Sequence, residues 1–363
     1  MSRYELTYII QTLDWGGAQT GMARLLSGLD PEVFDVTVVC FRIDDEEFRV
    51  ELPSFVDIIE LDIDKKYQIN RLLPLINAIS RSDVLVCSMY YSSLIGTVIG
   101  RLSGVPAIFR WQHSTHVENR FRIPFHKLTG HLSSRILADC RASADFLVRD
   151  LGIPKEAVTV LTLAGIDVES FPSKEVTGDC PIKVGAIGRL QPQKNFRALV
   201  DIASSFESDE YEFYVVGKGP ERDVLERASE NVGSVHFLGS LSHDEVQEFL
   251  DDIDIYVQPS NLEGLCITVL EAMASGLPVV ASPVGGISRS VVDGETGVLI
   301  ENHDIDRFEG AIRRLGEREV LREEMGQAGQ KRISRQYSRE SLANEFTDLV
   351  RETLPDSMAD RLE

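Results

Sequence analysis

Short apolar runs alternate along this chain with stretches in which apolar residues recur every three or four positions. Runs at residues 4–10, 36–41, 56–59, 84–87, 107–110, 136–139 and 158–161 lack strict polar alternation, as strands covered on both faces of a parallel sheet do. Between them, helical periodicity covers 17–29, 69–79, 92–102 and 143–151. The second half repeats the scheme, with strands at 182–187, 212–216 and 235–237 and helices at 195–206, 221–228 and 243–250. Residues 254–286 then give an apolar run, a Pro-Ser turn, a helix stopped by Gly276 and a further apolar run, 278–281, which predicts a βαβ unit. Helices at 305–315, 320–335 and 339–353 follow, and the polar tail from Leu354 onward is expected to fray. Strands and helices alternating through short turns predict doubly wound α/β layers.

At 363 residues the chain exceeds one ordinary domain and fits two, each large enough for its own core. The Pro, Ser, Lys and Gly residues between Phe171 and Pro181 make the best linker, so the expected domains are 1–171 and 172–338.

Composition narrows the function. An apolar fraction of 43% and a charged fraction of 26% are those of a globular protein. A formal charge of −21 excludes a general nucleic-acid binder, which needs a concentrated basic face. Cys40, Cys87, Cys140, Cys180 and Cys266 are widely spaced and mostly inside apolar runs, which reads as buried thiols in a reducing compartment; no CxxC pair supports a structural zinc. The N-terminal apolar run is too short for a signal peptide, and no uncharged apolar run approaches the roughly twenty residues of a spanning helix. The expected location is therefore cytoplasmic. One segment departs from the acidic background. Residues 120–135 are basic and place Phe121, Ile123, Phe125, Leu128 and Leu132 among Arg and Lys, with Pro124 limiting a helix to the part after it. Either it rests on an anionic membrane surface, which would make the protein peripheral there, or it is a solvated helix whose leucines face the core.

Candidate chemistry gathers where predicted strands end. Gly16-Gly17 precedes a helix whose first amides are unpaired, so it seats a phosphate or sugar hydroxyl or serves as a tight turn. His113 lies just past a strand; His116 follows, but no third nearby ligand completes a metal set, which favours hydrogen bonding over metal ligation. Gly188-Arg189-Leu190 follows another strand and Lys194 opens the next helix, so guanidinium, ammonium and helix amides converge as a diphosphate clamp. Gly217 and Gly219, flanking Lys218, form a loop that lets backbone approach a ligand. Glu263 and Glu271 are expected about 12 Å apart along the helix axis, too far for a glycosidase pair across one bond. Two contacts on one elongated ligand fit better, one of them to vicinal hydroxyls such as a ribose offers. Asp252-Ile253-Asp254 has the spacing of a metal-binding DxD, but its place at a strand entry suits helix-end or turn duty.

With these residues in place the chain resembles the large retaining glycosyltransferase family 4, the group 1 glycosyltransferases. The resemblance rests on GGAQTGMARL from Gly16, His113, GID from Gly165, GRLQPQKN from Gly188, GKG from Gly217, FLG from Phe237, PSNLEGLCITVLEAMASGLPVVAS from Pro259, Gly285-Gly286 and DGETGVLI from Asp293. It implies a GT-B fold, α/β, with two facing Rossmann-like domains and a cleft between them. The N-terminal domain would be the acceptor side, the C-terminal one would bind a nucleotide sugar, and the helix within 339–355 would cross back to the N-terminal domain. It further implies that Glu263 contacts hydroxyls of the transferred sugar and Glu271 the donor ribose. Arg189 and Lys194 would stabilise the diphosphate, the Gly17 loop would approach phosphate, His113 would touch the donor sugar, and amides of Leu265 and Cys266 would face the diphosphate. The implied reaction moves a hexose or N-acetylhexosamine from a nucleotide-diphosphate sugar to a glycan or lipid-linked acceptor with retention and without a bound metal or other cofactor.

Two positions depart from the family pattern. Arg289 stands where a glutamate is common after the Gly-Gly pair, which puts local donor or acceptor contacts in question, and Ala164 replaces a common Asn before Gly165. The competing readings are a nucleotide-sugar epimerase, whose acid-base set is not visible, and a catalytically silent scaffold in a polysaccharide-assembly complex.

Overall fold

A computed structural model of the chain describes residues 3–63, 69–113, 120–171, 180–301 and 304–359. His116 and the interior of the linker expected between Phe171 and Pro181 lie outside the described residues. The chain forms two compact units, Met1–Gly165 with Arg339–Glu363, and Ile166–Ser338. Residues 166–171 group with the second unit, where the Ile166 amide donates to Tyr337 O at 2.8 Å and Gln330 Nε2 donates to Phe171 O at 3.4 Å.

The first unit contains β1 (Tyr4–Leu13), β2 (Phe34–Ile43), β3 (Val56–Glu60), β4 (Val84–Ser88), β5 (Ala107–Gln112), β6 (Arg135–Ala138) and β7 (Val158–Val160). All pair in parallel, in the order β3-β2-β1-β4-β5-β6-β7. The second contains β8 (Ile182–Ile187), β9 (Tyr211–Val216), β10 (Val235–Gly239), β11 (Ile255–Gln258), β12 (Val279–Ala281) and β13 (Gly297–Leu299). These too are parallel, in the order β10-β9-β8-β11-β12-β13. Each sheet is doubly wound, and each therefore has a switch point, between β1 and β4 in one and between β8 and β11 in the other, where strand order reverses and a crevice opens at the carboxyl ends.

Where the elements depart from the sequence pattern, local chemistry explains it. β1 runs on past Ile10 because Thr12 and Leu13 continue the ladder to Arg42 and Ile43, although their polar neighbours end the apolar run. The helix expected over 69–79 is divided: a 3₁₀ turn, Ile69–Leu72, precedes the helix Leu73–Arg81, which has its proline in the first turn, where no N–H is needed. The tail is ordered through Asp356–Ala359, tied down by Tyr4 Oη donating to Met358 O at 2.5 Å.

The helix Arg339–Thr353 packs into the first unit's core, contributing Leu342, Ala343, Phe346, Leu349 and Val350 beside Leu6, Phe34 and Trp111. Gly28, at the end of the helix Gly17–Gly28, lies so close to Ala343 and Arg339 that a Cβ there would meet their side chains at 2.9 and 3.0 Å. The second core is separate, centred on Val184, Phe196, Phe213, Ile255, Val280 and Phe308.

Candidate active site

In the second unit, β8 and β11 are neighbours, so the loops leaving their carboxyl ends meet. After β8 the chain passes Gly188, Arg189 and Leu190 to a 3₁₀ turn, Pro192–Lys194, and Asn195 adopts a left-handed conformation (φ 54°) before the helix Phe196–Ala203. Asn tolerates that conformation, and its Nδ2 donates to Pro259 O at 3.1 Å, locking the loop to the one after β11. Lys194 thus ends a turn instead of opening the helix. Its stem crosses Gly188, where a Cβ would meet Lys194 Cε at 3.0 Å, and its Nζ reaches Glu263 Oε1 at 2.7 Å. Both side chains are nearly covered, Lys194 13% and Glu263 7% exposed.

Glycines hold this pair by crowding. Gly217 (φ 136°) and Gly219 sit where a Cβ would strike the backbone of Gly188 and Leu190, and Leu190 N donates to Lys218 O at 3.0 Å. Gly285 (φ 56°) and Gly286 press against the backbone of Glu263, Gly264 and Leu265, and Gly286 N donates to Gly264 O at 2.6 Å. The two glycine pairs therefore clamp the loops that bear Lys194 and Glu263.

Burial works against the charge of Lys194, but the neighbouring Cys266 and Glu263 outweigh it and raise its pKa above the ordinary lysine value. Cys266, 4.0 Å from Lys194 Nζ, is itself pushed up to about 12, first by burial and then by Glu263. Cys266 is left-handed (φ 62°), and the helix Ile267–Ala274 starts only after it. The stretch 263–266 is consequently a loop, and the separation of Glu263 from Glu271 is set by that turn plus little more than one helical turn, not by the two turns the sequence suggested. Glu271 is buried in this helix, 7% exposed. Leu265 lies in the loop, outside the helix. Arg189 is exposed and, among the described residues, has no side-chain hydrogen bond or ion pair; its charge acts on Lys194 from nearby. Arg289 is likewise exposed, on the short helix Ile287–Ser290.

Sequence reasoning missed the residues behind Glu263. Ser260 Oγ donates to Glu263 Oε1 at 2.6 Å, Gln258 Nε2 donates to Ser260 Oγ at 2.8 Å, and Tyr256 Oη donates to Gln258 Oε1 at 3.0 Å. The available signal was period-two: three hydrogen-bonding side chains at alternate positions, two on an otherwise apolar strand and the third two residues past its end.

In the first unit, Gly16 is the extended N-cap of the helix Gly17–Gly28, with no side-chain cap, so amides at that end keep the anion-seating geometry. Gln19 Nε2 donates to Thr12 O at 3.3 Å and also to Asp14, fastening the loop. His113 follows β5. Its Nδ1 donates to Asp139 Oδ2 at 2.9 Å, its Nε2 lies 2.6 Å from Ser88 Oγ, and Trp111 Nε1 donates to Asp139 Oδ1 at 2.7 Å. Three adjacent strand ends supply this network, and Asp139 and Ser88 were not foreseen. The connectivity is that of a hydrolase triad, but Ser88 is fully buried and cannot receive a substrate as nucleophile. With both ring nitrogens engaged, any ligand hydroxyl reaching the ring must exchange with Ser88. Met89, next along, has φ 72° and ψ 172°, a strained conformation of the kind that clusters at functional sites.

The basic segment divides between core and surface. In the helix Ile123–Leu132 only Thr129 and Gly130 are buried, while Phe121, Phe125 and Leu128 are 85%, 45% and 47% exposed. Phe125 and Leu128 share one face of the helix, and Phe121 stands in the 3₁₀ turn Arg120–Arg122 just before it. Arg122 lies 4.5 Å over the Tyr90 ring and Arg135 Nη1 donates to Glu156 O at 2.8 Å, so part of the positive charge is already engaged. Buried Arg110 donates to His126 O, Thr129 Oγ1 and Gln112 Oε1 beneath this helix, and burial holds His126 down at about 4.

Among the described residues, no group of three or more His, Cys, Asp or Glu is arranged to hold a metal ion, and no helix is long and apolar enough to cross a membrane. Four cysteines are buried, Cys180 is exposed, and all five are free thiols.

Two family models match the chain: Glycosyl transferase 4-like domain over residues 16–164 and Glycosyl transferases group 1 over 167–332. Among curated proteins, the lipopolysaccharide core biosynthesis glycosyltransferase LpsE of Rhizobium meliloti is 27% identical over 56% of this chain and 60% of its own, so this chain spans less than two thirds of that relative. An Escherichia coli UDP-Gal:alpha-D-GlcNAc-diphosphoundecaprenol alpha-1,3-galactosyltransferase is 25% identical over 81% of this chain and 83% of its own. Among solved structures, Anabaena Alr3699/HepE in complex with UDP-glucose superposes with a TM-score of 0.81 over 96% of this chain and all of that one, at 17% identity. The likeness extends to the fold, GT-B.

Proposed function

This chain belongs to the group 1 glycosyltransferases, and from that premise we propose that it moves a hexose or N-acetylhexosamine from a nucleotide-diphosphate sugar to a hydroxyl of a glycan or lipid-linked acceptor, with retention of anomeric configuration. The observation that supports this best is the Lys194–Glu263 pair at the β8/β11 switch point, where a carboxylate suited to sugar hydroxyls and an ammonium suited to phosphate are 2.7 Å apart. A nucleotide sugar has both groups joined at the bond to be broken.

As the bond from the anomeric carbon to the diphosphate oxygen breaks, negative charge grows on the leaving diphosphate and positive character on the sugar. In this reading Lys194 and the exposed Arg189 stabilise the first and Glu263 the second, a division that the 2.7 Å Lys194–Glu263 pair supports. The acceptor oxygen attacks from the face the diphosphate leaves, and its proton passes to a leaving phosphate oxygen. Glu271 takes the ribose hydroxyls, and the uncapped helix start at Gly16-Gly17 takes phosphate. In the first unit His113, held by Asp139, is the group we assign to a donor-sugar hydroxyl. Calorimetry with a panel of UDP-, GDP- and ADP-sugars tests the donor class. One family is expected to bind with affinity exceeding that of its free sugar, and binding by none would remove the diphosphate assignment.

For a lipid-linked acceptor the enzyme must meet a membrane, and the exposed Phe121, Phe125 and Leu128 beside Lys127 have the chemistry of a shallow interfacial anchor. Replacing those three apolar residues by serine is expected to abolish sedimentation with anionic vesicles while donor binding persists. Unchanged sedimentation would count against membrane contact there.

A further inference from the structure

Glu263 is held from one side. Oε1 accepts from Lys194 at 2.7 Å and from Ser260 at 2.6 Å, whereas among the described residues no hydrogen bond reaches Oε2. Behind it Tyr256, Gln258 and Ser260, each fully buried, share one face of β11 and its continuation. Their proton directions follow from chemistry. A carboxylate only accepts, so Ser260 spends its single proton on Glu263; the serine oxygen then takes the Gln258 amide N–H, and the Gln258 carbonyl takes the Tyr256 hydroxyl proton. The Tyr256 oxygen closes the row by accepting from the Ile187 amide of β8 at 3.3 Å. The donors of Gln258 and Ser260 thus point toward Glu263, and Tyr256, which lies 3.0 Å from Gln258 Oε1 and 3.4 Å from the Ile187 carbonyl, ties the row to the adjacent strand.

We propose that this ladder is a positioning device: it commits Oε1 to the protein and leaves Oε2 as the one acceptor for a hydroxyl of the sugar, which makes Ser260 a positioning residue whose effect is felt by the sugar half of the donor alone. The inference rests on the transferase reading. It assigns the nucleoside diphosphate half to other groups, so the two halves separate experimentally.

Affinities for the nucleoside diphosphate and for the matching nucleotide sugar, with kcat and KM, are compared in the wild type, Ser260→Ala, Ser260→Thr and Tyr256→Phe. Ser260→Ala is expected to keep diphosphate affinity within roughly twofold while kcat falls about tenfold or more, the size of one charge-assisted hydrogen bond. Threonine, which keeps the hydroxyl, restores most of the rate, and Tyr256→Phe gives a smaller loss in the same direction. An unchanged kcat in Ser260→Ala, or equal weakening of both ligands, overturns the inference. If the wild type neither binds nor turns over any nucleotide sugar, the transferase reading itself falls and takes the inference with it; that failure appears before any substitution is made.

Discussion

Replacing Lys194 by methionine is expected to lower the melting temperature by roughly 10 °C and to remove most transfer activity. The stem of the lysine fills the space over Gly188, and methionine keeps that volume, so packing changes little. What changes is the charge balance. Glu263 is 7% exposed and would be left as a buried carboxylate without its cation, a change that costs about 3–5 kcal/mol in comparable pairs. Adding Glu263→Gln to the same chain is expected to recover part of the melting temperature, because the unpaired charge is then gone, while activity stays lost. The pair's pH behaviour follows from the raised pKa of Lys194. A folded-state value above the unfolded one means the lysine's contribution is complete below the ordinary lysine value and is lost only as pH rises through the folded one, so raising pH from neutral to the ordinary lysine value should leave it intact. Thermal denaturation of the single and double variants between neutral pH and the lysine range checks both statements.

Glu263→Gln alone is expected to cut kcat by about 10²–10³, the range seen when one preorganised charge-stabilising group is lost. The amide oxygen can still accept from Lys194 and Ser260, so the melting shift should be smaller than for Lys194→Met. The lost function is at the other atom: an acceptor oxygen becomes an N–H₂ donor, which mismatches a sugar hydroxyl and removes the negative charge opposite developing positive character. Steady-state kinetics with melting curves on the same sample distinguishes this from unfolding.

Much of the architecture was legible because parallel strands buried on both faces leave apolar runs that end abruptly at turns; Ile182–Ile187 and the helix Arg339–Thr353 have the bounds their patterns predict. Strand β13 was not, since three residues after a Gly-rich turn make no periodic signal. The site was legible residue by residue but not as an arrangement. Lys194 and Glu263 read as contacts to different parts of a ligand, and their direct pairing depends on β8 lying beside β11, a fact of strand order that no local window contains. The same holds for His113, whose partners Ser88 and Asp139 come from the ends of β4 and β6. Gly217 and Gly219 read as room for a ligand; in the structure they, like Gly285 and Gly286, are also required by the backbone of a neighbouring loop.

Glu263 and Lys194 acting together on a nucleotide sugar are the centre of the proposed reaction. The most direct test is release of nucleoside diphosphate from UDP-, GDP- and ADP-sugars by the full chain, measured for the wild type and Glu263→Gln side by side. Release from one donor family by the wild type, reduced at least about 100-fold in the variant, is the predicted result. No release from any donor would contradict it and return the chain to the reading of a silent member of its fold, and equal release by both proteins would contradict it by removing Glu263 from the reaction.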